Sequence, residues 1–441
     1  MNLAETLRDG PAYAGYAYSY PHKTAYRPLD PPVPLAPLWA AERRDALFLY
    51  VHVPFCGMRC GFCNLFTKAR PRADLIAGYL DALDRQADRA RAALGEATFA
   101  RFAIGGGTPT YLDRPDLARV LDVVDRMTGG PGRGLPGSVE VAPGTVDRDK
   151  LALLVDRGAT RISIGVESFD EAEAAAVYRP QRDATVLGAL DLIRASGVPT
   201  LNIDLIYGLP GQTTASWLAS VRRALSFRPE ELYLYPLYVR PLTGLGKSGR
   251  EWDDQRLACY RAARDYLRGE GYRQASMRMF RAPHAPAEAD AGPAYRCQED
   301  GMVGLGCGAR SYTARLHYAS EYAVGARGVG EIIADYAARP AASFDRADFG
   351  IALTPEDRRR RHAIQSLLAP EGLDAAGYAR RFGTDATADL PELAELEPLG
   401  LAATADGTLR LTDAGLERAD AIGPWLYSAR VRSLMEDYSW R

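Results

Sequence analysis

The stretch Ala46-Leu-Phe-Leu-Tyr-Val-His-Val53 runs through Pro54 and Phe55 into Cys56-Gly-Met-Arg-Cys60-Gly-Phe-Cys63. Its first half is apolar, aromatic and β-branched, and reads as a strand buried on both faces. Its second half sets three thiols in one short loop, directly after the strand's carboxyl end. In parallel α/β barrels that end carries the active site. Working outward, the same strand-then-helix order recurs. Strands are predicted at 46–53, 100–104, 138–142, 161–166, 200–206 and 231–235. Helical periodicity fills the intervals at 72–94, 114–127, 148–157, 171–177 with 183–195, 214–225 and 253–269. Such alternation demands parallel pairing with right-handed crossovers. A full eight-unit barrel takes about 250 residues. Here six units fill roughly that span, so the expected fold is α/β, an incomplete (β/α)6 parallel barrel.

Around this barrel the composition changes. Residues 1–45 read as an extended arm, with Tyr13, Tyr16, Tyr18, Tyr20 and Tyr26 ahead of a proline run, 28–37, that fits neither helix nor central strand. Residues 46–271 are the barrel. Residues 272–345 read as an extension, with a strand at 273–280 and a Gly-rich turn at 304–308. In 346–441, helices at 355–368, 374–382 and 390–399 precede two short strands around Asp406-Gly407. That order is a winged-helix-like α+β module. Its Arg358, Arg359, Arg360 and Arg361 are expected to form a solvated helix face.

The chain of 441 residues has 54 basic and 56 acidic side chains, a net charge of -2. That balance argues against a coat for nucleic acid or anionic membrane. No apolar run approaches the roughly 18 residues of a membrane span. The start lacks a basic stretch followed by an apolar one, so a cytoplasmic protein is expected. Six cysteines over this length are too sparse for a disulfide scaffold. Cys259, Cys297 and Cys307 are scattered and read as core thiols.

Cys56, Cys60 and Cys63 converge on one inorganic centre. Zinc would need a fourth protein ligand, and none lies nearby in the sequence. An iron–sulfur cluster held by three thiolates instead of four keeps one iron open to a small molecule. A redox thiol set and a zinc site completed from elsewhere are the alternatives. Other chemistry-bearing residues fall at successive strand ends: Gly106, Gly107 and Thr108 in Gly105-Gly-Gly-Thr-Pro-Thr110, then Glu140, Glu167 and Asp204. Glycines let a ligand approach the backbone, and carboxylates accept from amines and ribose hydroxyls.

Tyr50-Val-His-Val-Pro-Phe-Cys56 through Cys63, with these strand ends, resembles the radical S-adenosylmethionine superfamily. More narrowly it resembles the branch of oxygen-independent coproporphyrinogen III oxidase, the haem chaperone and certain C-methyltransferases. The resemblance implies a 4Fe–4S cluster on Cys56, Cys60 and Cys63. It implies S-adenosyl-L-methionine bound through the open iron and cleaved to a 5′-deoxyadenosyl radical that abstracts hydrogen from substrate. By the same resemblance Tyr50, Phe62, Gly106, Gly107, Thr108, Glu140, Glu167, Arg179, Asp204 and Ile206 contact that cofactor. Glu167 stands where the family usually has Gln.

Other departures bear on the reaction. The oxidases continue with another Cys after the third, and here Asn64 follows. Tyr238 and Arg310 match second-cofactor positions but are bulkier. Tyr295-Arg-Cys-Gln298 and Arg310 replace the chaperone's histidine features, and guanidinium is no iron ligand. The expected function is therefore C–H chemistry, oxidative or methyl-transferring, by an enzyme similar to the oxidase but distinct from it. The expected partners are an organic substrate, tetrapyrrole or peptide, and a reductase, flavodoxin or ferredoxin as electron donor. No membrane or nucleic-acid partner is expected. A haem-binding chaperone is the alternative, and a winged-helix regulator is disfavoured. His52 is expected to pack beside the cluster loop. Tyr18-Ser-Tyr-Pro21 resembles an arm that closes over substrate.

Overall fold

The computed structural model describes residues 2–13, 15–130, 134–249, 251, 254–287 and 301–440. Its centre is one mixed sheet of thirteen strands. After the edge strand β1 (Arg27–Pro34) come β2 (Leu47–Val53), β3 (Phe99–Gly106), β4 (Gly137–Val141), β5 (Ala159–Glu167), β6 (Thr200–Tyr207) and β7 (Glu231–Pro236). From β3 to β7 each strand pairs in parallel with its predecessor in the chain. The six-strand unit expected from the alternation is therefore present. Almost every side chain of β2 is buried, as a parallel strand covered on both faces requires.

The sheet runs on past both ends of this unit and does not close. Met302–Leu305 adds a further parallel strand beside β2. Antiparallel strands Arg310–Tyr312, Leu316–Ala319 and Arg346–Ala352 follow, and β1 ends the sheet. Beyond β7 lies a small hairpin of Arg273–Gln274 and Met279–Arg281. The single strand expected at 273–280 is thus broken by a turn, closed where the Ala275 N–H donates to the Met279 carbonyl at 2.7 Å.

The proline run also needs correction. Most of it is the edge strand β1, whose register shifts between Pro28 and Val33. Prolines are tolerated there because an edge strand leaves donors unpaired on one side. Pro37 sits in the first turn of the helix Leu35–Ala40, where a missing N–H costs nothing. The helix expected from Asp253, a residue outside the described set, runs over Arg256–Gly269.

The C-terminal module has the expected helices Pro355–Leu367 and Ala375–Phe382. Strand Thr408–Leu411 is the middle of a small antiparallel sheet, with Leu373–Asp374 on one side and Ala402–Ala405 on the other. Asp406 and Gly407, at φ 51° and 72°, make the tight turn. The third helix shortens to Ala386–Asp389 and a 3-10 turn at Pro391–Glu395, since Pro391 cannot donate into a continuing helix. The arginine row is not a solvated face. Arg361 is buried and donates to the Tyr20 carbonyl at 2.7 Å. Arg360 pairs with Glu356 and Glu392, and Arg359 with Asp389.

Two cores result. One flanks the parallel sheet. The other joins Leu3, Ala17, Tyr20, Ala25 and Tyr26 of the arm to Ile364, Leu367, Tyr378, Ile422 and Tyr427 of the module. Among the described residues no helix is long and apolar enough to cross a membrane.

Candidate active site at the carboxyl ends of the parallel strands

The carboxyl ends of β2 to β7 open into a cavity of about 1740 Å³. Each candidate residue named from the sequence lines it: Tyr50, Cys56, Cys60, Phe62, Cys63, Gly106, Gly107, Thr108, Glu140, Glu167, Arg179, Asp204 and Ile206. The volume exceeds the ~300–1,000 Å³ of ordinary ligand pockets, so it has room for more than one small molecule.

The cysteine loop is pinned from three sides. The Gly61 N–H donates to Val177 at 2.8 Å, the Gly61 carbonyl accepts from Leu245 at 2.8 Å, and the Cys56 carbonyl accepts from Arg70 at 2.9 Å. A Cβ at residue 61 would sit 2.9 Å from the Val177 carbonyl and closer still to the Tyr178 ring. The Cys56 sulfur lies 3.4 Å from Thr108 Oγ1, and Arg179 Nη1 donates to the Cys60 sulfur at 3.2 Å. Burial pushes the Cys56 thiol up to about 12. It raises Cys60 as well, against the lowering pull of Arg179. Metal binding at these thiols must therefore expel protons. Among the described residues, no three His, Cys, Asp or Glu side chains are placed to hold one metal ion. A multinuclear cluster needs each thiolate on a separate iron and so a wider spread. Cys259 and Cys307 are fully buried elsewhere, as expected. Cys297 and the stretch 295–298 lie outside the described residues.

Next to the loop, the end of β3 forms a backbone cradle. Gly106 has φ 111°, and a Cβ there would come within 2.4 Å of the His52 ring. A Cβ at residue 107 would lie 2.6 Å from the Phe55 carbonyl. Only glycine fits either position. The Gly106 N–H donates to Glu140 Oε2 at 3.0 Å. Glu140 is solvent-exposed along the cavity, with protein around its carboxylate. Desolvation raises it to about 7, with Gly106 opposing and Asp204 reinforcing. Water in the cavity softens that shift.

On β5, Glu167 is also raised to about 7 by burial, opposed by Arg179. The two stand 3.7 Å apart. Arg179 donates through Nη2 to the Gly165 carbonyl at 2.5 Å, while its buried Nε has no partner among the described residues. On β6, Asp204 accepts from Ser163 at 3.0 Å and from Asn202 at 2.7 Å, and burial raises its pKa. His52 bonds through Nε2 to the Phe66 carbonyl at 2.9 Å, and burial lowers it to about 4. It packs beside the loop as expected.

Sequence reasoning passed over several cavity residues. Arg161 pairs with Glu231 at 2.7 Å, and both line the cavity with Tyr233 and Tyr235. The period-two alternation of Glu231, Tyr233 and Tyr235 put them on the face that carries Asp204, and that signal was available. Arg278 was not findable. It is buried, ion-paired with Asp420 of the C-terminal module at 2.5 Å, and boxed by the rings of Tyr16, Tyr235 and Tyr238. The arm divides its tyrosines. Tyr16, Tyr18 and Tyr26 line the cavity, while Tyr20 is buried and bonds to Asp357 at 3.0 Å.

Comparison with known proteins agrees with this arrangement. The family model for the radical SAM superfamily matches residues 50–224, and that for the HemN C-terminal domain matches 353–417. The oxygen-independent coproporphyrinogen III oxidase of Bradyrhizobium diazoefficiens is 30% identical over 387 residues, 82% of this chain and 81% of its own. The heme chaperone HemW of Bacillus subtilis is 29% identical over 60% of this chain and 70% of its own. The solved coproporphyrinogen III oxidase of Escherichia coli superposes with a TM-score of 0.73 at 25% identity, covering 87% of this chain and 91% of that one. A cysteine loop, a glycine cradle and carboxylates on successive strand ends, together with relatives aligned over most of the chain, place this protein in the radical SAM superfamily, in the family of oxygen-independent coproporphyrinogen III oxidases and heme chaperones, whose cofactors are a 4Fe–4S cluster and S-adenosyl-L-methionine.

Proposed function

We propose that the protein is a radical SAM oxidoreductase that acts on a C–H bond of a carboxylated tetrapyrrole, and that its reaction differs from that of coproporphyrinogen oxidase. The observation that carries the reading is the single cavity. It joins the cysteine loop and glycine cradle to a wall of Tyr16, Tyr18, Tyr26, Tyr233, Tyr235 and Tyr238. Aromatic faces of that extent suit a flat, largely apolar ligand.

The residues present fit both cofactors. Three thiols on one pinned loop suit a cluster with an open iron. The cradle at Gly106 and Gly107 leaves backbone bare for a ligand, and the unpartnered Arg179 Nε suits a carboxylate. Cys56, Cys60 and Cys63 would hold the cluster. Gly106, Gly107, Thr108, Glu140, Glu167, Arg179, Asp204 and Ile206, with Tyr50 and Phe62, would hold S-adenosyl-L-methionine. Bound together, the two cofactors supply one-electron cleavage of the sulfonium and hydrogen-atom abstraction. The protein's own work is placement and exclusion of water. Glu140 would accept from the cofactor's amino group, Asp204 would accept from ribose hydroxyls, and the arm's tyrosines would cover the substrate. A single-electron donor of the flavodoxin, ferredoxin or reductase type completes the system.

Three departures support a reaction distinct from the oxidase's. Asn64 follows the third cysteine. Tyr238 is committed to Asp420 at 2.8 Å. Arg310 stands in the cavity wall. The test is anaerobic turnover with coproporphyrinogen III, S-adenosyl-L-methionine and a reductant. Mass spectrometry should find 5′-deoxyadenosine and no doubly decarboxylated product. Efficient double decarboxylation would identify the oxidase itself. A Soret shift with haem and no 5′-deoxyadenosine would favour the chaperone.

A further inference from the structure

Lys23 belongs to the short 3-10 turn Lys23–Ala25 of the arm, and its side chain lines the cavity. The turn is clamped on both sides. Ahead of it, Tyr20 is held by Asp357 and Arg361. Behind it, Tyr26 is buried in the second core. Within it, His22 Nδ1 lies 2.9 Å from Thr24 Oγ1. A lysine so mounted is held in one place instead of sweeping through solvent. Its Nζ stands 3.7 Å from the centroid of the Tyr322 ring. The Tyr322 hydroxyl donates to the carbonyl of Asn64, next to Cys63, at 3.0 Å. One aromatic ring therefore separates this ammonium from the cysteine loop.

Among the described residues no carboxylate forms an ion pair with Nζ. After burial, its strongest electrical neighbours are Arg310, the Cys63 thiol and Arg240. Two of the three are cations, and Arg310 shares the cavity wall. A ring face attracts a cation but does not neutralise it. Burial, then Arg310 and Arg240, lower the pKa of this amine against the raising pull of Cys63, so its charged form is costly until an anion completes it.

We propose that Lys23 is a specificity-determining residue that grips an ionised carboxylate of the substrate and fixes that edge of the molecule beside the cysteine loop. This rests on the tetrapyrrole reading above. A second source of negative charge is the iron–sulfur cluster itself, and the experiment separates the two.

The full-length protein, anaerobically reconstituted, is titrated with coproporphyrin III and with its tetramethyl ester, following porphyrin fluorescence. The wild type should bind the free acid roughly ten- to hundredfold more tightly than Lys23→Met does, the effect of losing a bond to a charged group. Lys23→Arg should restore most of that loss. The ester should bind both proteins alike. Iron per chain should be the same in all three. Equal affinity of wild type and Lys23→Met for the acid would overturn the assignment. So would an equal loss with the ester, which would mean a packing role, or iron lost from Lys23→Met, which would assign the ammonium to the cluster. If the wild type binds neither porphyrin, the tetrapyrrole reading falls and this assignment falls with it.

Discussion

From β3 to β7 each strand pairs with the strand before it, whereas the second core joins residues 3–26 to residues 351–431. The first arrangement is assembled from neighbouring strand–helix units, each closing a short loop. The second needs the two ends of the chain to meet, so its loop-closure cost falls due before its contacts reward it. The chemistry divides along the same line. Cysteines, glycine cradle and carboxylates all stand on the parallel strands or the loops after them. Tyr16, Tyr18 and Lys23, which line the cavity from the other side, hang from the nonlocal arm. In the reading proposed above, cofactor handling rests on the parallel strands and only part of the substrate wall on the arm, so the arm can be broken without the cofactor site.

The largest effect should come from the cysteine loop. Cys56→Ala, Cys60→Ala or Cys63→Ala should abolish the 4Fe–4S absorbance and all 5′-deoxyadenosine formation, because two thiolates do not hold the cluster. The far-ultraviolet circular dichroism should not change, since the loop is pinned by backbone bonds. Cys307→Ala should keep its iron. Iron retained in Cys63→Ala would mean the site is elsewhere.

The second break falls on the nonlocal core. Deleting residues 2–26 removes Leu3, Tyr20 and Tyr26, each fully buried and each worth about 1.5–3 kcal/mol of burial. It also strips Asp357 of the Tyr20 hydroxyl and Arg361 of its carbonyl acceptor. The C-terminal module should then melt in its own transition, more than about 10 °C below the rest. Cluster content and slow substrate-free cofactor cleavage should persist. A single calorimetric transition at the wild-type temperature would show that the two cores are not separable in this way.

What was legible follows the same division. The six strands follow from apolar, β-branched runs alternating with helical periodicity, and the cysteine loop from a motif a few residues long, while the cofactor roles of the strand-end residues came from the family resemblance. Glu231, Tyr233 and Tyr235 were in reach of their period-two alternation. The partners of Arg361 and Arg278 were not, because Tyr20 and Asp420 lie far away in the sequence and no local pattern couples them. Four arginines in a row look solvated until the arm is laid over Arg361 and the module's own carboxylates meet Arg359 and Arg360. The hairpin at 273–281 was hidden for a smaller reason: its turn at Ala275-Ser276 carries neither glycine nor proline to mark it.

The smallest effect expected is electrostatic and tests the strand-end side alone. Glu140 and Glu167 both have pKa values raised from 4.5 to about 7, chiefly by burial. For the ligand-free protein the sign is fixed. A carboxyl group that is harder to ionise when folded stabilises the fold fully below its unfolded value, and that contribution is lost as pH rises from 4.5 through 7. Cofactor binding works in the opposite sense. S-adenosyl-L-methionine brings an ammonium and a sulfonium, and it favours the ionised carboxylates. Its affinity should therefore rise several-fold between pH 6 and pH 8 and then level, with net proton release near pH 7. Calorimetry in two buffers of different ionisation enthalpy measures that release directly. Glu140→Gln should cut the release and flatten the pH profile, while Glu231→Gln, whose carboxylate is already paired with Arg161, should leave both nearly unchanged. No proton release at pH 7, with affinity constant from pH 6 to pH 8, would mean that Glu140 does not meet the ammonium and that the strand-end carboxylates only shape the cavity.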